Sequence, residues 1–398
     1  MENTNVLISG AGIAGPALAY WLRHHGFNPT VVERAPAPRP GGHAVDLRGV
    51  AREVVERMGI MAEVRRSSVD ERGVHFVDGR GRPVVTMPAD LFDGDGIVAE
   101  IEIMRGDLTR ILYEATRDTT EYLFDDCVTG LVQDDAGVKV TFERAAPRTF
   151  DLVVGADGAH SGVRALAFGE ESTFVRHLGA YTAYFTTPRP RDLDGWFLMH
   201  NAPGGRVAAI RPDRSPTEAK AMFSFTSPLM RYDRRDIGQQ KRILAERFAG
   251  MGWQVPRLLA DMWDAPDFYF DAVCQVHLEH WSRGRTVLLG DAAFCGSPLS
   301  GLGTSLAIVA AYVLAGELAA ADGDHRIAFA RYESELRDYV KQCQKLPPGG
   351  VRGFLPGSRA ALWLRNQSMR ASTTRPMRGL VARQGRKADA ITLKDYAG

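Results

Sequence analysis

The 398-residue chain is poor in cysteine: Cys127, Cys274, Cys295 and Cys343 are the only four, and no two form a CxxC pair. That spacing excludes an adjacent thiol–disulfide centre and a cysteine-rich zinc site, and no metal centre is expected. Scattered cysteines suit a reducing cytoplasm. Neither sign of charge prevails, with 49 Lys and Arg against 48 Asp and Glu, so no global field argues for nucleic acid or an anionic surface. Internal repeats and long low-complexity segments are absent. The apolar stretch 301–316 carries no charge, but it stops at Glu317 and falls short of the roughly 20 residues a membrane span needs. A helix buried inside the protein is expected there, and no stable membrane insertion. The chain enters a strand at Val6-Leu7-Ile8, which leaves no room for a signal peptide. A cytoplasmic protein is expected, as a monomer or homodimer.

What is present is length enough for two domains. Residues 4–9 read as a buried strand, followed by a glycine turn, a helix to about His25 and a second strand at 29–33. This is a β-α-β unit of the size a dinucleotide fold requires. A hairpin is expected at 72–90 with Asp78-Gly79 at its turn, and helices at about 106–116, 237–249 and 325–345. Alternating apolar and polar residues with aromatics between 172 and 276 predict an antiparallel sheet. The expected class is α/β: a Rossmann-like domain from 1–71, 101–171 and 277–345, with a hairpin (72–100) and a substrate-binding sheet (172–276) inserted in it. The tail, 346–398, holds ten Lys and Arg against two acids and reads as a helix across both domains with its arginines in solvent.

Two motifs carry chemistry. In Gly10-Ala11-Gly12-Ile13-Ala14-Gly15, the first glycine permits the strand-to-helix turn and the second admits a pyrophosphate close to the backbone. Gly15 lets the helix pack on the strand. Phosphates would sit at the helix N-terminus, where free N–H groups and the dipole favour negative charge. Glu33 ends the second strand, where a carboxylate accepts hydrogen bonds from ribose hydroxyls and repels a 2′-phosphate. NADP is thereby disfavoured as the resident ligand, while NAD and the ADP half of FAD remain; Arg34 beside it reaches for adenine or phosphate, or else is a solvated loop arginine. The second motif, Thr286 to Ala293 (TVLLGDAA), ends a strand in Gly290-Asp291 and is followed by Pro298, Gly301, Gly303 and the uncharged helix. A distant second contact of this kind is unneeded for NAD, whereas FAD is long enough to require it. Helix N-terminal amides there would stabilise charge on the N1–C2=O edge of a reduced flavin.

Together with the segment Asp151 to Arg164 (DLVVGADGAHSGVR), these motifs resemble the single-component FAD-dependent aromatic hydroxylases, the p-hydroxybenzoate hydroxylase superfamily. Within it, Gly41 to Leu47 (GGHAVDL) and Met104 to Leu108 (MRGDL) look most like the tetracycline-inactivating and polyketide-modifying monooxygenases, with a loop one residue longer at 41–47. The resemblance implies a GR2-type FAD-binding fold and a reaction in which NAD(P)H reduces the flavin and O₂ adds at C4a. The resulting hydroperoxide would then hydroxylate an electron-rich ring. It also implies that Arg105 contacts the ribityl-phosphate region and that Asp46 lies near the isoalloxazine. Asp157 would serve FAD and transient NAD(P)H, supported by Arg164.

Since the cofactor carries the difficult step, no paired carboxylates or Ser/His/Asp set is expected. His43, His200 and His277 are candidates to deprotonate a phenol, and His43 leads because it shares the flavin loop. Tyr184, Trp196, Phe197, Met199, Phe223 and Phe225 are expected to line a broad aromatic cavity suited to a polycyclic phenol. A flavin halogenase is the weaker alternative, since Gly252 to Pro256 (GWQVP) only brushes its Trp-x-Trp-x-Ile-Pro pattern. A flavoenzyme that moves hydride alone, and a non-enzymatic FAD-bound protein, are the others.

Overall fold

In the computed structural model, which describes residues 1–92, 99–373 and 386–396, two sheets share one chain. The first has six strands in the order 282–283, 286–288, 152–155, 5–9, 28–33, 121–124, parallel except for the 282–283 hairpin strand. Its strands are near-continuous apolar runs such as Val6-Leu7-Ile8 and Leu152-Val153-Val154, as burial on both faces demands. The Gly303–Ala320 helix packs between the Ala14–His24 and His325–Cys343 helices. It is apolar all round, and Ser305 through Leu318 are buried. By length and composition this helix is apolar enough to cross a membrane, yet here it is core.

The second sheet has seven strands, ordered 269–276, 175–188, 218–226, 206–212, 196–202, 73–77, 83–88. It is antiparallel with one exception: 73–77 runs parallel to 196–202. The 73–88 hairpin arrives from earlier in the chain, so no tight turn dictates its direction. Two helices, Ile237–Phe248 and Val255–Asp264, back one face of this sheet. The second helix was not expected from the sequence, although Pro256 in its first turn and the Val255, Leu258, Leu259, Met262 spacing signal it.

The tail departs from expectation. The Arg359–Ser372 helix packs on strands 83–88 and 196–202 of the sheet domain, and two of its arginines bond to that sheet. Arg365 lies 4.7 Å over the Phe76 ring and donates to Asn201 at 3.0 Å, and Arg370 donates to the Val84 carbonyl at 2.6 Å. The chain then reappears on the nucleotide domain, where Lys394 and Tyr396 each meet the buried Glu317 carboxylate at 2.8 Å. Residues 93–98 of the expected hairpin segment, and 374–385 and 397–398 of the tail, lie outside the described residues.

Candidate active site

The glycine turn is shaped by contacts that admit no side chain. Gly10 has φ +108°, and a Cβ on it would lie 2.5 Å from the Ala156 carbonyl oxygen; one on Gly15 would lie 1.9 Å from that of Gly10. Ile13 and Ala14 are buried where the helix opens. Glu33 sits under the turn, its two oxygens accepting from the amides of Ala11 (2.8 Å) and Ala35 (2.9 Å) and from Arg39 (3.0 Å). Burial works to raise its pKa, but these amides and Arg39 prevail and hold it below the usual glutamate range. Arg34 is exposed and lies beside Cys127, so Arg39 is the arginine that serves Glu33.

The two flavin motifs touch. Gly290, at φ +65°, presents its open side to Ala14, and a Cβ on it would lie 3.3 Å from that of Ala14. Asp291 opens the helix that follows, and a Cβ on Gly303 would lie 3.8 Å from one of its carboxylate oxygens. Pro298 begins the 298–300 turn, and Gly301, left-handed at φ +65°, closes it; a Cβ there would lie 3.4 Å from an Asp46 carboxylate oxygen. The Asp46 carboxylate pairs with Arg48 at 2.8 Å, while its backbone carbonyl accepts from the Ser305 hydroxyl at 3.3 Å. Opposite, Arg105 donates its amide to the His43 carbonyl at 3.0 Å and carries its guanidinium over Gly12.

Asp291 and Tyr269 are accessible to solvent yet enclosed by protein on most sides, which is the signature of a deep cleft; Tyr184, His43, Arg105 and Asp157 are partly accessible in the same enclosure. The enclosure pushes the Asp291 carboxyl upward against the Cys295 thiol and Arg105, which pull it down. A cradle of glycines, an accessible arginine over the turn and an accessible carboxylate 280 residues downstream fit an extended dinucleotide such as FAD. Asp157 is largely committed to its own turn: it accepts from the Ser161 hydroxyl and from the Val163 amide at 3.1 Å. Arg164, fully buried, donates to the Ala292 carbonyl at 2.9 Å and the Ala159 carbonyl at 2.6 Å, tying the Gly155–Gly158 segment to the Asp291 helix.

Asp291→Ala is expected to lower FAD occupancy sharply in a protein that still folds. The flavin-to-protein absorbance ratio after gel filtration measures this, and a fully yellow variant counts against Asp291 as a cofactor contact.

Strand alternation sorts the aromatic residues. Tyr184, Phe197 and Met199 lie on the face turned toward the nucleotide domain, packed with Met222, Leu299, Phe354 and Met369. Phe223 and Phe225 point the other way into the helix-backed core, where Phe223 meets Phe248 at 4.4 Å. Trp196 shares that rear side, stacked on His75 at 3.7 Å. These three therefore do not line the cleft: each stands one residue out of phase with the wall.

His43 stacks on Tyr184 with ring centroids 4.4 Å apart. Burial, then Arg105 and Arg211, drive its pKa down to about 3, so it stays neutral and is a poor proton acceptor. His43 thus has the place of a phenol base without the basicity. His200 is buried and bonded to the Val77 carbonyl, and His277 to Gln275, which makes both structural.

Sequence reasoning missed Tyr269, Arg211 and His160. Tyr269 donates to Asp271 at 3.0 Å. Asp271 also meets His160 Nε2 at 2.9 Å, while Nδ1 of His160 meets Glu171 at 3.1 Å. His160 and Glu171 lie outside the sheet whereas Asp271 is on one of its strands, so the imidazole clamps the two domains. Burial lowers its pKa, but the two carboxylates override this and raise it to about 9. Since its unfolded value is about 6.5, the clamp's stabilisation is complete below about pH 6.5 and lost as pH rises through 9. The thermal midpoint of His160→Gln is therefore expected to lie well below that of the parent at pH 6 and to approach it by pH 10. A gap independent of pH defeats this assignment.

Residues 3–345 match the FAD binding domain family. A protein of Mycobacterium tuberculosis described as uncharacterised is 46% identical over 352 residues, covering 88% of this chain and 94% of that one. A flavin-dependent monooxygenase of Legionella longbeachae is 40% identical over 356 residues, covering 89% and 90%. The crystal structure of tetracycline destructase Tet(55) superposes with a TM-score of 0.83 at 38% identity, covering 99% of each chain. The chain belongs to the FAD binding domain family, among its flavin-dependent monooxygenases.

Proposed function

We propose that this chain is an NAD(P)H- and O₂-dependent hydroxylase of a broad, polycyclic phenol or polyketide-like substrate, acting in the cytoplasm. The observation that carries the reading is the aromatic row beside the flavin-motif loops: His43, on the loop that holds Asp46, stacks on Tyr184, Tyr184 stacks on Tyr269, and Leu299 beside Pro298 packs in the same cluster as Tyr184. FAD, once reduced, supplies the activated oxygen. The chain's own part is to bind and to exclude water. Gly10, Gly12, Gly15 and Arg105 would hold the pyrophosphate, Glu33 the ribose, and Asp291 the ribityl chain. Asp46, Gly301 and Gly303 would border the ring, while Asp157 steadies the turn beneath. Phe197, Met199 and Leu299 supply apolar surface that keeps water from the reacting edge. Likeness to a tetracycline destructase makes tetracyclines the first compounds to try.

The test is NAD(P)H consumption by the FAD-loaded protein against tetracyclines, polycyclic polyketides and simple phenols under ¹⁸O₂. A product heavier by one labelled oxygen is expected. Consumption without incorporated label favours a flavoenzyme that moves hydride alone, and flavin that NAD(P)H cannot reduce with any ligand ends the enzymatic reading.

A further inference from the structure

The sheet wall of the cleft holds two cations, and each is outnumbered. Arg211 lies on the same face as Val207 and Ala209, its guanidinium 4.9 Å over the Phe197 ring, close enough to bias His43. Its Nε donates to Glu71 at 2.7 Å and its Nη2 to Glu102, and those carboxylates are 0% and 2% exposed. Lys220 stands directly across from Arg211 on the neighbouring strand. Its ammonium is held by Asp267 at 2.9 Å and Asp213 at 3.4 Å. Asp46, already neutralised by Arg48, adds a further carboxylate beside Arg211. The wall thus sets four carboxyl groups against two cations. Burial raises the Glu71 pKa against the pull of Arg211, and its Oε2 has no hydrogen-bond partner among the described residues. Yet Glu102, Asp267 and Asp213 alone still outnumber the two cations.

A guanidinium on a substrate wall ordinarily attracts carboxylates. Here its charge is more than matched before any ligand arrives. An incoming carboxylate loses its hydration and meets no net positive charge on this wall, so its desolvation goes uncompensated there. Nη1 of Arg211 has no acceptor among the described residues and still offers N–H donors. A neutral acceptor such as a ketone, quinone or amide carbonyl can take such a hydrogen bond without adding charge.

We propose that this wall selects polycyclic substrates bearing a neutral carbonyl and rejects those bearing a carboxylate, with Glu71 and Glu102 as positioning residues that set the specificity through Arg211. The inference rests on the cleft being the substrate site. It narrows the substrate class to neutral or cationic ring systems and sets aside benzoate-like acids.

The test compares 1-hydroxy-2-naphthamide with 1-hydroxy-2-naphthoate, near-isosteres that differ in charge. Dissociation constants for the FAD-loaded protein are read from the perturbed flavin spectrum. The naphthamide is expected to bind at least about tenfold more tightly. Glu71→Gln and Glu102→Gln, singly and together, should shift that ratio toward the naphthoate by about tenfold or more, while Arg211→Met weakens the naphthamide. Full flavin occupancy shows that each variant is folded, and a conservative Glu→Gln change keeps the volume of the site. Equal or tighter naphthoate binding by the parent, an unchanged ratio in the Gln variants, or binding of neither probe at millimolar concentration overturns the proposal. No turnover enters the measurement, so the oxygen-labelling experiment and this one can fail separately.

Discussion

Gly15→Ala is expected to yield a protein without FAD and with most of its thermal stability gone. One methyl group suffices because the Cβ would lie 1.9 Å from the Gly10 carbonyl oxygen and 3.1 Å from its carbon. Those atoms are backbone, so no rotamer change relieves the contact. The helix must back away from the 5–9 strand, and the turn that gathers the pyrophosphate opens with it. Overpacking in a core that can adjust costs about 1–3 kcal/mol. Here the core cannot adjust, and a domain holds only about 5–15 kcal/mol in total. The measurements are the flavin-to-protein absorbance ratio and the thermal midpoint. A stoichiometrically yellow variant with the parent midpoint shows that the helix is not seated as described.

Arg164→Met is the second large effect. The side chain is 0% exposed and bridges two carbonyls, Ala292 and Ala159, on segments more than a hundred residues apart. Methionine fills much of the volume but donates nothing, leaving both carbonyl oxygens short of a partner. Glu171, 3.9 Å away, loses a nearby cation as well. Leaving a buried acceptor without its partner costs about 1–3 kcal/mol, and this change leaves two. Because Ala292 follows Asp291, weakened FAD retention should accompany the drop in midpoint. Arg164→Lys is expected to recover little, since a single ammonium cannot span both carbonyls as a planar fork does. A Met variant that melts with the parent and keeps its flavin removes Arg164 from this role.

The parts of the site that were legible in the sequence are those enforced locally. Gly10, Gly15 and Gly290 announce backbone approaches that no other residue permits, and their spacing to Glu33 and Asp291 follows from one strand–turn–helix geometry. The helix at 303–320, uncharged as far as Glu317, declared its own burial. The substrate wall was less legible, because an aromatic residue fits either face of a two-sided sheet. Phe223 and Met222 are neighbours in the chain, and only the packing of the 237–248 helix reveals which one turns inward. Arg211 and His160 were harder still. Their meaning comes from carboxylates at positions 71, 102, 171 and 271, which no local pattern joins to them. The low basicity of His43 comes from burial and then from Arg105 and Arg211, which only the fold brings around it.

The alternation of the second sheet also divides its residues by what mutation would do to them. Tyr184, Phe197, Met199, Met222 and Tyr269 share the side turned toward the nucleotide domain, while the residues flanking them in sequence hold the helices on. A directed-evolution library confined to those five positions would explore new substrates and leave the foundations alone. Moving each randomised codon by one would spend the same diversity on unfolding the protein.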